Sequence, residues 1–189
     1  NLIEIGSNDG TFLKNFKSSK TNILGIEPSK NVASVAKKNK INTTNKFFNL
    51  KTAKSLKKFT NNTDLICAAN AICHIPNLGD LIKGINTLLS KKGVFIFEEP
   101  YLGSMYEKTS YDQIYDEHIF IFSISSVKKI FDLFDLQLID VQKQKTHGGS
   151  MRYVIARKGE HIIKKTVQKG LNYEKKNNID NIKGCLKFK

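Results

Sequence analysis

Short apolar runs alternate with stretches of helical periodicity along most of the 189-residue chain. This alternation predicts a mostly parallel sheet whose faces are covered by helices. Seven strands are predicted, near residues 1–5, 22–27, 44–49, 64–70, 93–98, 136–143 and 150–157. Five helices are predicted, near residues 10–18, 29–39, 51–59, 78–90 and 123–134.

The last two predicted strands are connected differently from the others. Only residues 146–149 separate the sixth apolar run from the seventh, and this connection is too short for a crossover helix. The last two strands are therefore expected to be antiparallel neighbours. From residue 158 the sequence becomes polar with loosely helical spacing, so we expect one domain at 1–157 and the start of another at 158–189. Because the first residue already belongs to a strand, we expect the chain to be a piece of a longer protein.

The net charge of +14 raises the question of nucleic-acid binding. Arg152 and Arg157 are the only arginines, and the lysines occur in every segment. Nucleic-acid readers usually concentrate arginine and aromatic side chains in one patch, so we expect no nucleic-acid partner. No apolar run reaches the roughly 18 residues that a membrane span needs, and no signal peptide is visible. We therefore expect a cytoplasmic protein without a membrane partner.

A glycine loop follows the first predicted strand, with the sequence Glu-Ile-Gly-Ser-Asn-Asp-Gly at residues 4–10. Gly6 and Gly10 allow sharp turns and a close approach of the backbone to a ligand. Glu27 ends the second apolar run at the distance where a second strand offers a carboxylate to the hydroxyl pair of a ribose. The combination predicts a ribose-containing cofactor. The alternative is a tight turn between a strand and a helix that binds nothing.

Two common nucleotide loops do not match this segment. A dinucleotide loop needs glycine where Asn8 stands, and a triphosphate loop needs a Gly-Lys-Ser/Thr sequence that is absent here. The carboxylate of Glu4 would repel phosphate, but it would suit the cationic amino-acid end of S-adenosylmethionine. The segment resembles motif I of the class I S-adenosylmethionine-dependent methyltransferases. The resemblance implies that Gly6 and Gly10 lie against the methionine and ribose parts, and that Glu27 holds the ribose hydroxyls.

Further cofactor contacts are expected where other strands end. Phe48 and Asn49 end the third apolar run and are candidates to flank adenine by position alone. Asn70 ends the fourth run, at the mouth where the methyl donor is expected. S-adenosylmethionine is thus the expected cofactor and S-adenosylhomocysteine the product. The predicted cofactor-binding residues are Glu4, Gly6, Ser7, Asn8, Gly10, Glu27, Pro28, Phe48 and Asn70.

A long segment between the fifth strand and the following helix carries the candidate reaction chemistry. Ligands of open α/β sheets bind beyond the carboxyl ends of the strands, so we expect this segment on the substrate side of the cofactor. If it is helical, Tyr111, Tyr115, His118 and Phe122 share one face. The consecutive titratable residues 115–118 are well matched to proton transfer. The alternative is a partly buried aromatic face with a hydrogen-bonded histidine.

Three motifs in order resemble those of the sugar C-methyltransferases, over roughly residues 1–157. They are the glycine loop at residues 4–10, Tyr-x-x-Ile-Tyr-x-Glu-His at 111–118 and His-Gly-Gly-Ser-x-Arg at 147–152. The resemblance implies an α/β, Rossmann-like class I methyltransferase fold with a seven-stranded, mostly parallel sheet, a final antiparallel hairpin and helices on both faces. It also implies a preceding zinc-binding domain, a following C-terminal α/β domain, and nucleotide-linked keto-deoxysugars as small-molecule substrates.

The same resemblance assigns catalytic roles to Tyr115, Glu117 and His118. A carbon next to a ketone is methylated after it loses a proton, so the site needs a base and donors that stabilise the enolate oxygen. His118 is the predicted base, Glu117 is expected to orient it or share its role, and Tyr115 is expected to polarise the carbonyl. Two other functions stay open: methylation of oxygen or nitrogen in a small metabolite, and cofactor binding without reaction.

Substrate contacts of second rank are predicted for His147, Tyr111, Arg152 and His74. A plain hairpin turn explains the glycines beside His147 equally well, and His74 could face the pocket or simply begin a connecting loop. No metal site is predicted. Adjacent residues such as Glu117 and His118 rarely both reach one ion, and the three cysteines lack Cys-x-x-Cys spacing.

Overall fold

The computed structural model describes residues 1–17 and 20–188 and contains one seven-stranded sheet. Its strands are β1 (Leu2–Ile5), β2 (Ile23–Ile26), β3 (Thr43–Thr44), β4 (Thr63–Ala69), β5 (Leu89–Pro100), β6 (Leu136–Gln144) and β7 (Ser150–Arg157). The spatial order is β3-β2-β1-β4-β5-β7-β6. Strands β1 to β5 are parallel, whereas β7 runs antiparallel to both of its neighbours, β5 and β6. The predicted sheet and its antiparallel end are confirmed.

Helices connect most of these strands. They are α1 (Lys30–Lys38), α2 (Leu50–Ser55), α3 (Leu78–Leu88), α4 (Leu102–Lys108), α5 (Ile124–Asp132), α6 (Lys165–Lys176) and α7 (Ile182–Lys187). Short 3-10 turns occur at Leu13–Phe16, Lys57–Phe59 and Ile72–His74. Among the residues that the structure describes, no helix has the length and apolar character required to cross a membrane.

Successive side chains of a strand point to opposite faces of the sheet, and both faces of this sheet carry buried apolar residues. Ile3 and Ile5 belong to the larger core, which is centred on aromatic residues of β5 and β7. There the rings of Phe97 and Tyr153 stack with centroids 4.8 Å apart. Leu2 faces the other way and packs in a smaller cluster with Leu13, Ala36 and Ile41. The sheet is therefore held by apolar contacts on two sides, which fixes the positions of its strand ends.

Several element boundaries predicted from the sequence are wrong, and local hydrogen bonds explain the largest error. The third strand covers Thr43–Thr44, not 44–49, because Asn49 caps α2 by accepting a hydrogen bond from the amide of Thr52 at 2.8 Å. The Thr52 hydroxyl also donates to the carbonyl of Phe47. Phe48 therefore precedes a helix and does not end a strand.

Other predicted boundaries also shift. The first predicted helix, 10–18, is reduced to the 3-10 turn Leu13–Phe16, and its residue 18 lies outside the described residues. The predicted helix 51–59 splits, because α2 ends at Ser55 and a 3-10 turn follows. Strand β5 is longer than predicted at both ends.

The segment after β5 does not form the helix on which a shared aromatic face depended. Helix α4 ends at Lys108, because the next residue, Thr109, has a left-handed backbone with a φ of 51°. Residues 110–121 then follow turns and extended backbone. The amide of His118 closes one such turn by donating to the carbonyl of Tyr115 at 3.0 Å. The expected helical alignment of Tyr111, Tyr115, His118 and Phe122 is therefore wrong.

Helix α6 lies against the sheet and α5 through both apolar and polar contacts. Val167 is buried, and Gly170 sits so close to Ile124 that an added Cβ would lie 2.4 Å from its Cδ1. The buried carboxylate of Glu174 accepts hydrogen bonds from the Tyr101 hydroxyl at 2.9 Å and from the first two amides of α5. These contacts attach α6 to the site-bearing part of the fold. The assignment of residues 158–189 to a further domain stays a prediction.

Replacing Glu174 by Ala is expected to destabilise the chain by about 2 to 4 kcal/mol, because the change leaves a buried hydroxyl and two helix-end amides without their acceptor. Urea unfolding followed by circular dichroism measures this loss. Lys175→Ala, at an exposed position of the same helix, is the matched control and should change stability by less than about 0.5 kcal/mol. Equal effects of the two substitutions would contradict the capping role.

Candidate functional site

A cavity of about 780 Å³ lies at the carboxyl ends of β1, β2 and β4. This is where ligands bind in open α/β sheets, and the volume is ample for a nucleoside-sized cofactor. Six of the nine predicted cofactor residues line it: Gly6, Asn8, Glu27, Pro28, Phe48 and Asn70. Its wall also includes Asn49, a predicted neighbour of adenine, and Phe47, His74 and Asp80, which the sequence did not assign to cofactor binding.

The glycine loop approaches the turn after β4 more closely than a side chain would allow. Gly6 has a φ of +69°, and an added Cβ would lie 2.7 Å from the Cβ of Ala71. An L-residue other than glycine would be strained there and would also clash. Both Gly6 and Ala71 line the cavity, so this close approach shapes the space available to a ligand.

The carboxylate of Glu27 joins the first two loops of the site. One oxygen accepts a hydrogen bond from the amide of Asn8 at 3.0 Å, and the other accepts from the amide of Ser29 at 2.8 Å. Each carboxylate oxygen has a second acceptor position. Glu27 therefore holds the glycine loop and retains the capacity to accept two hydroxyl groups. The residues of this wall fit the ribose of S-adenosylmethionine.

Three predicted cofactor residues do not line the cavity. Gly10 packs against Ile41, while the side chains of Glu4 and Ser7 are buried behind the loop. In the described part of the chain, one Glu4 oxygen and the Ser7 hydroxyl have no hydrogen-bond partner. Burial, followed by the charges of Asp9 and Glu27, raises the pKa of Glu4 to about 8. The assignment of Glu4, Ser7 and Gly10 to cofactor binding stays a prediction.

Two adjacent phenylalanines lie where the sequence predicts contacts with adenine, and their surroundings differ. Both line the cavity, but Phe48 is buried and packs against Gly84, whereas Phe47 is 74% exposed. An exposed aromatic ring beside a cavity suits stacking on a nucleobase. The prediction named Phe48 because Phe48 would be the last apolar residue of the strand predicted at 44–49.

The hairpin between β6 and β7 reaches the cavity through Asn70. The Asn70 amide nitrogen donates to Nε2 of His147 at 3.2 Å, and both residues have left-handed backbones. Glu98 of β5 holds the hairpin by accepting hydrogen bonds from the hydroxyl of Thr146 at 2.8 Å and from two nitrogens of Arg152. Arg152 is therefore paired with Glu98, and its predicted contact with substrate stays a prediction. His147 lies at the edge of the site.

Glu99, which the sequence analysis did not single out, positions the turn after β4. Its side chain is fully buried, and one oxygen accepts from the amides of Ala71, Ile72 and Cys73 at 2.7 to 3.4 Å. Burial raises the pKa of Glu99 even though these hydrogen bonds lower it. The turn carries His74, and the carbonyl of Cys73 accepts the amides of residues 119 and 120. Glu99 therefore fixes the turn to which the segment carrying His118 is attached.

Two histidines come together beside this turn, with ring centroids 5.2 Å apart. Nδ1 of His74 lies 2.6 Å from the carbonyl oxygen of Glu117, and Nδ1 of His118 lies 2.8 Å from that of Gln113. A carbonyl oxygen only accepts, so each Nδ1 carries a proton, and in the neutral ring each Nε2 presents a lone pair. The hydroxyl of Tyr115 donates to Nε2 of His118 at 2.8 Å.

This geometry corrects the expected part of Glu117. Its carboxylate does not orient His118, because the carbonyl of Gln113 holds Nδ1 of that ring. Glu117 contacts His74 instead, through its main-chain oxygen. The other part expected of Glu117, sharing the role of the base, stays a prediction. Its exposed side chain lines a second cavity of about 360 Å³ together with His74, Asp116 and Ile119. His74 borders both cavities, so it stands where a cofactor and an acceptor would meet.

Tyr111 lies apart from this group. Its ring is tilted against Phe188 with centroids 4.8 Å apart, and nearly half of its surface is exposed. The predicted substrate contact of Tyr111 stays a prediction.

Comparison with known proteins gives a consistent result. Residues 1–141 match the family model of the methyltransferase domain. The C-methyltransferase NovU of Streptomyces niveus is 27% identical over 94% of this chain, which spans only 43% of that relative's length. A methyltransferase structure from Archaeoglobus fulgidus superposes with a TM-score of 0.65 at 16% identity, covering 83% of this chain and 85% of that one. A second, from Thermotoga maritima, gives 0.59 at 20% identity, with 82% and 81% covered.

Replacing Glu27 by Gln is expected to weaken the binding of S-adenosylmethionine by about 10- to 100-fold, because an amide cannot accept two hydroxyl groups and two backbone amides at once. Calorimetric titration measures the affinity, and thermal melting checks that the loop still folds. Glu160→Gln, remote from the cavity, should bind normally. An unchanged affinity in Glu27→Gln would contradict the assignment.

The raised pKa of Glu4 predicts a pH dependence of stability. An unfolded glutamate, with its ordinary pKa of 4.5, loses its proton near pH 4.5, whereas folded Glu4 keeps it up to about pH 8. The folded state thus binds more protons between these values, so stability falls as pH rises through this window and levels off above it.

Urea unfolding at a series of pH values tests this dependence. Glu4→Gln is neutral at every pH, and between pH 5 and 8 it should lose about 3 kcal/mol less stability than the unsubstituted chain. Glu160→Gln should keep the unsubstituted slope. Identical slopes for the Glu4→Gln variant and the unsubstituted chain would refute the assigned shift.

Proposed function

We propose that this chain, which belongs to the family of methyltransferase domains and has S-adenosylmethionine as its cofactor, methylates carbon. The acceptor carbon lies next to a ketone of a nucleotide-linked deoxysugar. The single observation that carries this proposal is the group of Tyr115, His118 and His74 beside the cofactor cavity, in which both Nε2 atoms present lone pairs. The printed name of the relative from Streptomyces niveus, a C-methyltransferase, supports the same reaction type.

Carbon methylation requires more of the protein than methylation of oxygen or nitrogen. Those atoms already carry a lone pair, whereas a carbon next to a ketone becomes nucleophilic only after it loses a proton. S-adenosylmethionine, when bound, supplies a methyl group attached to a positively charged sulfur. The chain's own residues then have to remove the carbon-bound proton and stabilise the charge that forms on the ketone oxygen.

His118 is the proposed base, and the hydrogen bond from Tyr115 prepares it. The proton on Nδ1 is held by the carbonyl of Gln113, so Nε2 is the atom that accepts a proton from substrate. In the structure the Tyr115 hydroxyl donates to that Nε2. When the hydroxyl turns to the ketone oxygen of a substrate, it stabilises the enolate and frees Nε2 in the same movement.

His74 is a second candidate base on the cofactor side. Its Nδ1 proton is held by the carbonyl of Glu117, and its ring borders both the large and the small cavity. Proton transfer through either ring is compatible with an acceptor in the small cavity. The carboxylates of Asp116 and Glu117 in that cavity suit the hydroxyl groups of a sugar.

Proton removal can be measured separately from methyl transfer. In deuterated water with S-adenosylhomocysteine bound, the chain is expected to exchange the proton next to the ketone of a keto-deoxysugar nucleotide. His118→Gln should slow both exchange and methyl transfer by about 10² to 10⁴-fold, because a general base contributes that much. Tyr115→Phe should slow both by about 10-fold or more, because it removes one hydrogen bond to the enolate oxygen.

Two controls keep this experiment interpretable. His161→Gln removes a histidine that bonds to the carbonyl of Lys92, away from the cavities, and should retain both rates. Cofactor affinity should be unchanged in the His118 and Tyr115 variants, since neither residue lines the large cavity. Methyl transfer to an acceptor oxygen or nitrogen, without any proton exchange at carbon, would overturn the proposal.

A further inference from the structure

Cys73, His74 and His118 bring three metal-ligating side chains together, and the thiol of Cys73 has no part in the proposed reaction. The Cys73 sulfur and a ring nitrogen of each histidine lie within 4.8 Å of one another. Cys73 is buried, and both histidines are half-buried. Sulfur and imidazole nitrogen are the ligand atoms that zinc-class cations prefer, whereas magnesium and calcium prefer oxygen.

The hydrogen bonds around the two histidines match those of metal-binding imidazoles. Each ring donates its Nδ1 proton to a backbone carbonyl, that of Glu117 for His74 and that of Gln113 for His118. Such a contact fixes the ring and reserves Nε2 for a metal ion, which is the usual support of a metal-bound histidine. Both rings have this support, and at His118 a cation would displace the hydroxyl of Tyr115 from Nε2.

The backbone behind the cluster is also fixed. Glu99 gathers the amides of residues 71–73, and the carbonyl of Cys73 accepts the amides of residues 119 and 120. Residues on both sides of the cluster are thus attached to one another before any ion binds. A preformed site of this kind needs little rearrangement to close around a cation.

We propose that Cys73, His74 and His118 bind one zinc-class divalent cation, and that the bound cation blocks methyl transfer. The inhibitory part rests on the proposed function, because the lone pair of Nε2 that would remove the substrate proton is the one that the cation takes. Binding forms one metal–sulfur and two metal–nitrogen bonds. The thiol proton leaves to solvent, and no electron is transferred.

The geometry requires a small contraction. Zinc lies about 2.3 Å from sulfur and about 2.0 Å from nitrogen, so tetrahedral ligand atoms sit roughly 3.5 Å apart. The three atoms lie within 4.8 Å of one another, so each pair has to close by up to about 1.3 Å. Three protein ligands leave a fourth position open, and the hydroxyl of Tyr115 lies 2.8 Å from Nε2 of His118, one of the proposed ligand atoms. Occupation would therefore take both the base and its partner out of the reaction.

Cobalt(II) is a spectroscopic substitute for zinc that tests binding without any turnover. We expect one equivalent to give a thiolate-to-cobalt charge-transfer band with the unsubstituted chain, and zinc to displace it. Cys73→Ala should lose the band and bind cobalt at least 10-fold more weakly. Cys185→Ala, the matched control at an exposed cysteine, should keep both the band and the affinity.

The inhibitory part is tested with the same variants. Zinc should abolish proton exchange and methyl transfer by the unsubstituted chain, and a chelator should restore both. Cys73→Ala should retain metal-free activity and need at least 10-fold more zinc for the same inhibition. A band that persists in Cys73→Ala, or equal inhibition of both proteins, overturns the proposal. If the keto-sugar is not the substrate, the cobalt band still decides whether the site exists, so the two failures are distinguishable.

Discussion

One buried carboxylate fixes the arrangement on which the rest of the site depends. Glu99 projects from the end of β5 under the turn after β4, and a single oxygen collects three consecutive amides. That turn forms part of the cofactor cavity, carries His74 and anchors the segment that bears His118. The cofactor side and the acceptor side are thus built on the same few backbone atoms. The sheet holds the cofactor side and the acceptor side at a fixed distance. Group transfer between two bound molecules requires such fixed positions.

The end of strand β5 positions two parts of the site, because adjacent residues of a strand face opposite sides. Glu99 faces the turn after β4, while its neighbour Glu98 holds Thr146 and Arg152 of the last hairpin. The hairpin in turn brings His147 to Asn70 at the edge of the cavity. Two consecutive carboxylates at one strand end therefore organise two different walls of the site.

The sequence predicted the sheet well because its apolar runs are short, well separated and flanked by clear turn residues. It also located the glycine loop and Glu27, whose partnership depends on a spacing that can be counted. It did not single out Glu99, since a carboxylate beside Glu98 at a strand end looks like a solvated residue until its amide partners are known. It misplaced the third strand because the cap formed by Asn49 competes with strand formation. Helical spacing at Tyr111, Tyr115 and His118 was misleading for a related reason, because Thr109 ends the preceding helix and only turns follow.

The order of the strands bears on how the protein reaches its working form during synthesis. In the sheet, β7 lies between β5 and β6, so β6 has no neighbour to pair with until the following strand has entered. The wall that contains His147 and the partner of Glu98 is therefore the last to be assembled. The residues that line the large cavity all lie between Ile5 and Asp80, well before this hairpin in the chain. A nascent chain that ends before Arg157 thus already contains the cofactor-side wall, and the hairpin adds the contact of His147 with Asn70 afterwards.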